Sequence, residues 1–264
     1  MPASRVDPVI DDWQARGRYT FTRDDLAHEV GKWDSATRDA LRRLTRDSRL
    51  ARPRTGFYVI VPLEYRSMGA PPASWFIDSL MGHVDQPYYV GLLSAAAIHG
   101  AAHHRPQEFQ VVTDRPTRSV TAGRVHIRFV VSSLLDRIAV TRVKTPRGTM
   151  RVSTPAATAL DLVRYVHASG GYDHVCTVLG ELAERIDPEE LTRLAGHVPS
   201  VIARRTGYLL ERAGAPDQAA ALADLLANEA LEPQPLDPAR SKKGAPVDDR
   251  WALYVNASVE PDTP

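Results

Sequence analysis

The chain has 264 residues, of which 43% are hydrophobic and 25% charged, and its formal net charge is +1. That length and balance suit one large domain or two small ones and exclude wholesale disorder. The single cysteine, Cys176, excludes a disulfide framework and a cysteine-built zinc site, and it fits a reducing compartment.

In chain order, Met1–Asp12 lacks the apolar core of a signal peptide, so the expected location is cytoplasmic. Val6–Ala15 reads as a short helix with Val9, Ile10 and Trp13 on one face, ended by Gly17. Tyr19–Phe21 is a short extended piece. Thr22 then caps a second helix: Asp25 stands three residues on, and Asp24 and Asp25 lie where the helix dipole favours acids. That helix runs to Val30 and stops at Gly31. Asp34 or Ser35 caps a third, Ala36 to Asp47, with Ala36, Ala40, Leu41 and Leu44 at core spacing. Its other side carries Thr37, Arg38, Arg42, Thr45 and Arg46, with Arg43 nearer the boundary. Arg49–Arg54 and Gly56–Val61 read as two strands joined through Pro53-Arg54-Thr55-Gly56.

Helix, short strand, helix, turn, helix and two-stranded ribbon is the order of a winged helix-turn-helix. In that motif the third helix enters the major groove and the ribbon approaches the adjacent backbone. Seven arginines and two acids lie between Arg38 and Arg54. They fall on the outer helix face and the ribbon, where phosphate neutralisation needs them. The candidate DNA-contacting residues are Thr37, Arg38, Arg42, Thr45, Arg46, Arg52, Arg54 and Thr55. Arg42 has the reach to fork onto guanine. The alternative is an ordinary solvated helix in a chain whose 29 arginines against 4 lysines reflect codon usage.

Residues 62–72, rich in proline and glycine, read as a linker between a domain at 1–61 and one at 73–264. Ala73–His83 reads as a helix. Tyr88–Ala101 reads as a second, well-buried helix. This most apolar stretch is broken by Ser94 and His99 and falls short of the ~20 residues a membrane span needs. Glu108–Thr113 and Val125–Val131 are strands, joined by a basic loop with Arg115, Arg118 and Arg124. Val140–Lys144 and Gly148–Val152 form a further pair, and Thr154–Val166 is a helix with Pro155 in its first turn. Helices at 173–185, 188–195, 199–212 and 216–229 follow. Glu232–Asp249 reads as irregular, and Trp251–Val255 as a final strand. The fold class is therefore α+β: an N-terminal winged helix-turn-helix, then a larger α+β domain with a small sheet and a helical cover.

Charge is segregated. Residues 1–60 carry net +3, 61–100 net −2, 101–151 net +7 and 152–264 net −7. Either the +7 block is a second basic surface, with Arg115, Arg118 and Arg124, or it packs against the acidic remainder.

Enzyme signatures are missing. The chain has no P-loop, no G-x-G-x-x-G, no D-x-D, no E-x-K and no G-x-S-x-G. His99 and His103 stand at i, i+4, but no third ligand accompanies them or His104, so no metal is expected. Cys176 sits among apolar neighbours and reads as a buried structural thiol. Asp161, in the helix after Thr154, suits that helix's first turns or a pairing with an arginine. Neither a catalytic residue nor a cofactor is expected. Two other classes remain open. One is a nuclease or nucleotidyltransferase targeted by the winged helix, and the other a protein-interaction module.

Several strings then carry a resemblance. They are Tyr88-Tyr89-Val90-Gly91-Leu92-Leu93-Ser94-Ala95-Ala96-Ala97-Ile98-His99-Gly100, Phe109-Gln110-Val111-Val112, Ile127-Arg128-Phe129, Ser153-Thr154-Pro155 with Thr158–Leu162, and the Arg-Arg-x-Gly-Tyr-Leu-Leu stretch at Arg204–Leu210. Together they resemble the AbiEi family of antitoxins, from the AbiE and MenA–MenT group of bacterial toxin–antitoxin systems. The resemblance implies a winged helix that binds repeats in the operon's own double-stranded promoter DNA and represses it; two copies on neighbouring half-sites are the usual geometry of the motif. It also implies a C-terminal antitoxin domain that counteracts a nucleotidyltransferase-like toxin encoded next door, and no enzymatic activity. In the family pattern a glutamate follows Ser-x-Pro; this chain has Ala156 there, which puts any role of that glutamate in doubt.

Overall fold

The computed structural model describes residues 5–101, 106–227 and 229–260. In chain order the elements are α1 (Val6–Ala15), β1 (Thr20–Thr22), α2 (Arg23–Val30), α3 (Ser35–Arg46), β2 (Leu50–Arg54), β3 (Phe57–Ile60), α4 (Ile77–His83), β4 (Tyr88–Val90) and α5 (Leu92–Ile98). Then come β5 (Phe109–Thr113), β6 (Val120–Ala122), β7 (Val125–Val131), β8 (Val140–Thr145), β9 (Gly148–Ser153), α6 (Pro155–Arg164), α7 (Tyr172–Leu182), α8 (Pro188–Ala195), α9 (Ser200–Arg212) and α10 (Pro216–Leu226). Three two-residue strands close the chain: β10 (Gln234–Pro235), β11 (Val247–Asp248) and β12 (Leu253–Tyr254). The class is α+β, and the whole falls into two compact units. The first comprises residues 1–89, 107–132 and 142–151; the second comprises 90–106, 133–141 and 152–264.

In the first unit, local chemistry sets the element boundaries. Thr22 and Asp25 form a reciprocal capping box: the Thr22 amide donates to Asp25 Oδ2 (2.7 Å), and the Asp25 amide donates to Thr22 Oγ1 (3.1 Å). Gly31, with φ +71°, ends α2 in the left-handed conformation that favours glycine. Asp34 caps α3, accepting from the Thr37 amide at 3.0 Å. β1, β3 and β2 form an antiparallel sheet in that order. Val6, Ile10, Trp13, Phe21, Leu26, Leu41, Leu44, Leu50 and Ile60 make one buried core beneath it.

A six-stranded sheet follows, in the order β6-β7-β5-β4-β9-β8. β5 and β7 are parallel from Phe109↔Ile127 to Thr113↔Val131, and β6 returns antiparallel along β7. The division between the units passes through β4, β8 and β9. Three expectations change. Residues 62–72, read as a linker, lie within the first unit and contain a 3-10 helix, Leu63–Met68. Tyr88–Val90 is a buried strand, and only Leu92–Ile98 is helical. The basic loop after β5 contains the strand β6. At the β6–β7 turn, Gly123 has φ +55°, and a Cβ there would meet the Met68 carbonyl oxygen at 2.1 Å, so only glycine fits.

The second unit is a helical pack. Thr154 caps α6, and Pro155 opens it as the sequence predicts. Gly207 of α9 lies against the indole of Trp251, where a Cβ would come within 2.1 Å of the ring. Trp251 is wholly buried and donates from Nε1 to Glu211 (2.7 Å). The tail beyond α10 is more ordered than expected, forming a small sheet in the order β10-β12-β11. The paired arginines of the Arg204–Leu210 string hold this tail. Arg204 donates to the carbonyls of Glu232 (3.2 Å) and Ala252 (2.6 Å), and Arg205 donates to that of Pro235 (2.7 Å).

Candidate nucleic-acid interface

The candidate residues lie in the first unit, on α3, on the β2–β3 ribbon and along the β6 edge. α3 packs through Thr37, Ala40, Leu41 and Leu44, which are its buried residues. Arg38, Arg42, Thr45 and Arg46 fall on the outer face and are exposed. Two local assignments need correcting. Thr37, expected outside, is buried, because its hydroxyl donates to Asp34 Oδ1 (3.0 Å) and shares the cap. Ala36, expected in the core, is exposed, since Thr37 rather than Ala36 is in helical step with Ala40, Leu41 and Leu44. The Thr45 hydroxyl donates back to the Leu41 carbonyl (2.8 Å).

The arginines divide by the company they keep. Arg43 pairs with Asp7 (2.5 Å), and Arg49 bridges Asp7 (3.1 Å) and Asp11, tying the end of α3 and the start of β2 to α1. These partners lie some forty residues away, and nothing in the local pattern predicts them. Arg42 pairs with Asp39 (3.2 Å) and Arg46 with Asp47 (3.2 Å), but these contacts are open to water, with arginine side chains 79% and 76% exposed. Exposed pairs of this kind contribute roughly 0–1 kcal/mol, so a phosphate displaces the carboxylate at little cost. The Arg38 side chain is exposed and makes no ion pair among the described residues.

On the ribbon, Arg52 is exposed, 5.8 Å from the centre of the Tyr58 ring, and Thr55 is exposed in the turn. Arg54 is half-buried. It lies over the Phe129 ring and donates to the Arg118 carbonyl. Burial, and then the neighbouring Arg118 charge, hold its pKa below the ordinary arginine value. Arg118 and Arg124 are exposed at the two ends of β6, while Arg115 donates to the Asp85 carbonyl (2.7 Å). The +7 block and the ribbon therefore meet. β2 and β6, each at the edge of its own sheet, lie side by side. A second fastening was not foreseen: Arg147, in the β8–β9 turn, lies 4.1 Å from the Tyr19 ring and 4.9 Å from the Trp75 ring.

The other candidate chemistry is structural in character. His99 Nε2 lies 2.7 Å from the Ser153 carbonyl, while His103 and His104 fall outside the described residues. Among the described residues no three His, Cys, Asp or Glu side chains gather to hold a metal. Cys176 is fully buried, and burial pushes its thiol up to about 11. Asp161 and Ala156 are both buried on α6. No helix among the described residues is long and apolar enough to cross a membrane.

Residues 89–212 match the model of the AbiEi antitoxin C-terminal domain. The matched segment resembles this antitoxin family. It runs from β4 through α9 and includes the Ser153–Leu162 and Arg204–Leu210 strings. The AbiEi match supports an antitoxin role within a toxin–antitoxin system. The fold is similar to the crystal structure of RV2827C protein from Mycobacterium tuberculosis, with a TM-score of 0.67, 18% identity, and coverage of 94% of this chain and 90% of that one. At that identity the likeness is one of fold. No curated protein matches the sequence.

Proposed function

We propose that this AbiEi-type antitoxin is a cytoplasmic, non-enzymatic regulator whose N-terminal helices and ribbon act as a winged helix-turn-helix on duplex DNA. Its target is a repeat in its own promoter, which it represses. The observation that carries this reading is the outer face of α3, where Arg38, Arg42, Thr45 and Arg46 stand exposed on a helix whose opposite face is locked into a core. Exposed guanidinium groups on such a helix suit both phosphates and guanine edges in the major groove. Thr37 and Arg54 drop out of the reading face, the first as part of the cap and the second as a neighbour of Arg118. Two copies on half-sites about 34 Å apart are the geometry the motif favours.

The antitoxin role follows from the family, and we take its object to be a nucleotidyltransferase-like toxin encoded beside it. An electrophoretic shift assay with the promoter duplex tests the DNA reading: Arg42→Ala/Arg46→Ala loses the shift while wild type keeps it. An unchanged shift in the double variant rejects this face. Co-expression with the neighbouring gene tests the other half, and growth arrest that the full chain fails to relieve would contradict it.

A further inference from the structure

Beyond α3 lies a group of arginines that, like Arg38, have no carboxylate partner among the described residues. Arg42, Arg43, Arg46 and Arg49 each have a carboxylate partner, and Arg128 has Glu108 (3.5 Å). Among the described residues, Arg52, Arg54, Arg118 and Arg124 form no ion pair; the one hydrogen bond among their guanidinium groups runs from Arg54 to the Arg118 carbonyl. Arg54 is placed beside Arg118: it lies over the Phe129 ring and donates to the Arg118 main-chain carbonyl. β6 lies along β2, each the edge strand of its own sheet, and Arg54 meets the Arg118 backbone between them. Neighbouring guanidinium groups without carboxylate partners gain from an anion that relieves their repulsion.

We propose that the β6 edge is a phosphate-contacting surface of its own, with Arg118 beside Arg54 taking one backbone phosphate and Arg124, at the far end of β6, reaching a second. The six residues from Arg118 to Arg124 span at most about 20 Å of extended chain. That is roughly six base-pair steps at about 3.4 Å of rise each. The surface therefore extends the contacted duplex to one side of the segment under α3. It supplies positioning and affinity rather than base readout. This inference rests on the DNA reading above.

The test is a titration of the promoter duplex at several salt concentrations, with hydroxyl-radical footprinting, on wild type, Arg118→Ala, Arg118→Glu and Arg42→Ala/Arg46→Ala. Arg118→Ala weakens binding about tenfold at moderate salt and lowers the slope of log affinity against log salt by about 0.9, the loss of one phosphate contact. Arg118→Glu weakens it further, because the new carboxylate neutralises Arg54 as well. Both lose protection at one flank and keep it under α3. Arg118 is exposed, so thermal unfolding of both variants matches wild type. Wild-type affinity and slope in both Arg118 variants, with binding lost in Arg42→Ala/Arg46→Ala, overturn the β6 surface and leave the α3 reading standing. No shift by wild type itself removes both.

Discussion

Arginine does opposite work on the outer face of the first unit and in the interior of the second. In the first, Arg38, Arg42, Arg46, Arg52 and Arg118 stand in water, and the pairs they form are ones solvent already weakens. In the second, Arg204 is 3% exposed and spends its guanidinium on main-chain carbonyls of the tail, and Arg205 does the same. A buried cation bonded to carbonyls is a fastening, because leaving those carbonyls unsatisfied costs more than the bonds return. An exposed cation on a rigid face is free to meet a ligand. Arginine number cannot separate the two; the surroundings of each guanidinium do.

Substitutions can break or sharpen this contrast. The largest effect belongs to the second unit. Trp251→Ala empties the space against Gly207 and removes the bond to Glu211, and should cost about 3–5 kcal/mol in chemical denaturation. An unchanged denaturation midpoint would mean the tail is not fastened to α9 as described. Arg49→Ala comes next. Its half-buried bridge to Asp7 and Asp11 is structural, so we expect a loss of about 1–2 kcal/mol. Arg42→Ala, four residues beyond Arg38 on the same exposed face, should stay within about 0.5 kcal/mol of wild type. Equal losses in these two would erase the distinction between fastening and binding arginines. Thr22→Ala removes the capping box and should cost about 1 kcal/mol.

The smallest effect is in pH. Burial raises the Asp25 pKa, but the Thr22 hydrogen bonds and Arg18 outweigh it and leave the carboxyl below its ordinary value. Hydrogen bonds from Thr37 hold Asp34 down as well. A carboxyl depressed in the folded state stabilises above its unfolded pKa, near 4, and loses that contribution as pH falls through the folded value. Stability of the N-terminal helices should therefore be flat above about pH 5 and decline below pH 4, and Thr22→Ala should flatten part of the decline. A decline of the same depth in Thr22→Ala would exclude Asp25 as its source.

Much of the first unit is legible in the sequence because its signals are local. Thr22 with Asp25, Asp34, Gly31 and the spacing of Leu41 and Leu44 act within a turn or two of chain. What escapes is set by distance or ambiguity. Asp7 and Asp11 meet Arg43 and Arg49 only after α1 folds across α3 and β2. Tyr88–Val90 is a short apolar run, which periodicity cannot tell from a buried helix. It turns at Leu92, whose φ of +50° is unusual for a residue that is not glycine. The strand β6 hid in a basic stretch, because an exposed edge strand carries no apolar alternation beyond Val120 and Ala122. That omission made the +7 block look like a separate surface, when β6 brings it to the ribbon.

The most direct test of the account is the affinity of the promoter duplex for wild type and for Arg42→Ala/Arg46→Ala, each measured at low and moderate salt beside a denaturation curve. The account predicts tight, steeply salt-dependent binding by wild type, loss of binding in the variant, and superimposable denaturation curves. Equal binding by both proteins, or loss of binding that tracks loss of stability, would contradict it.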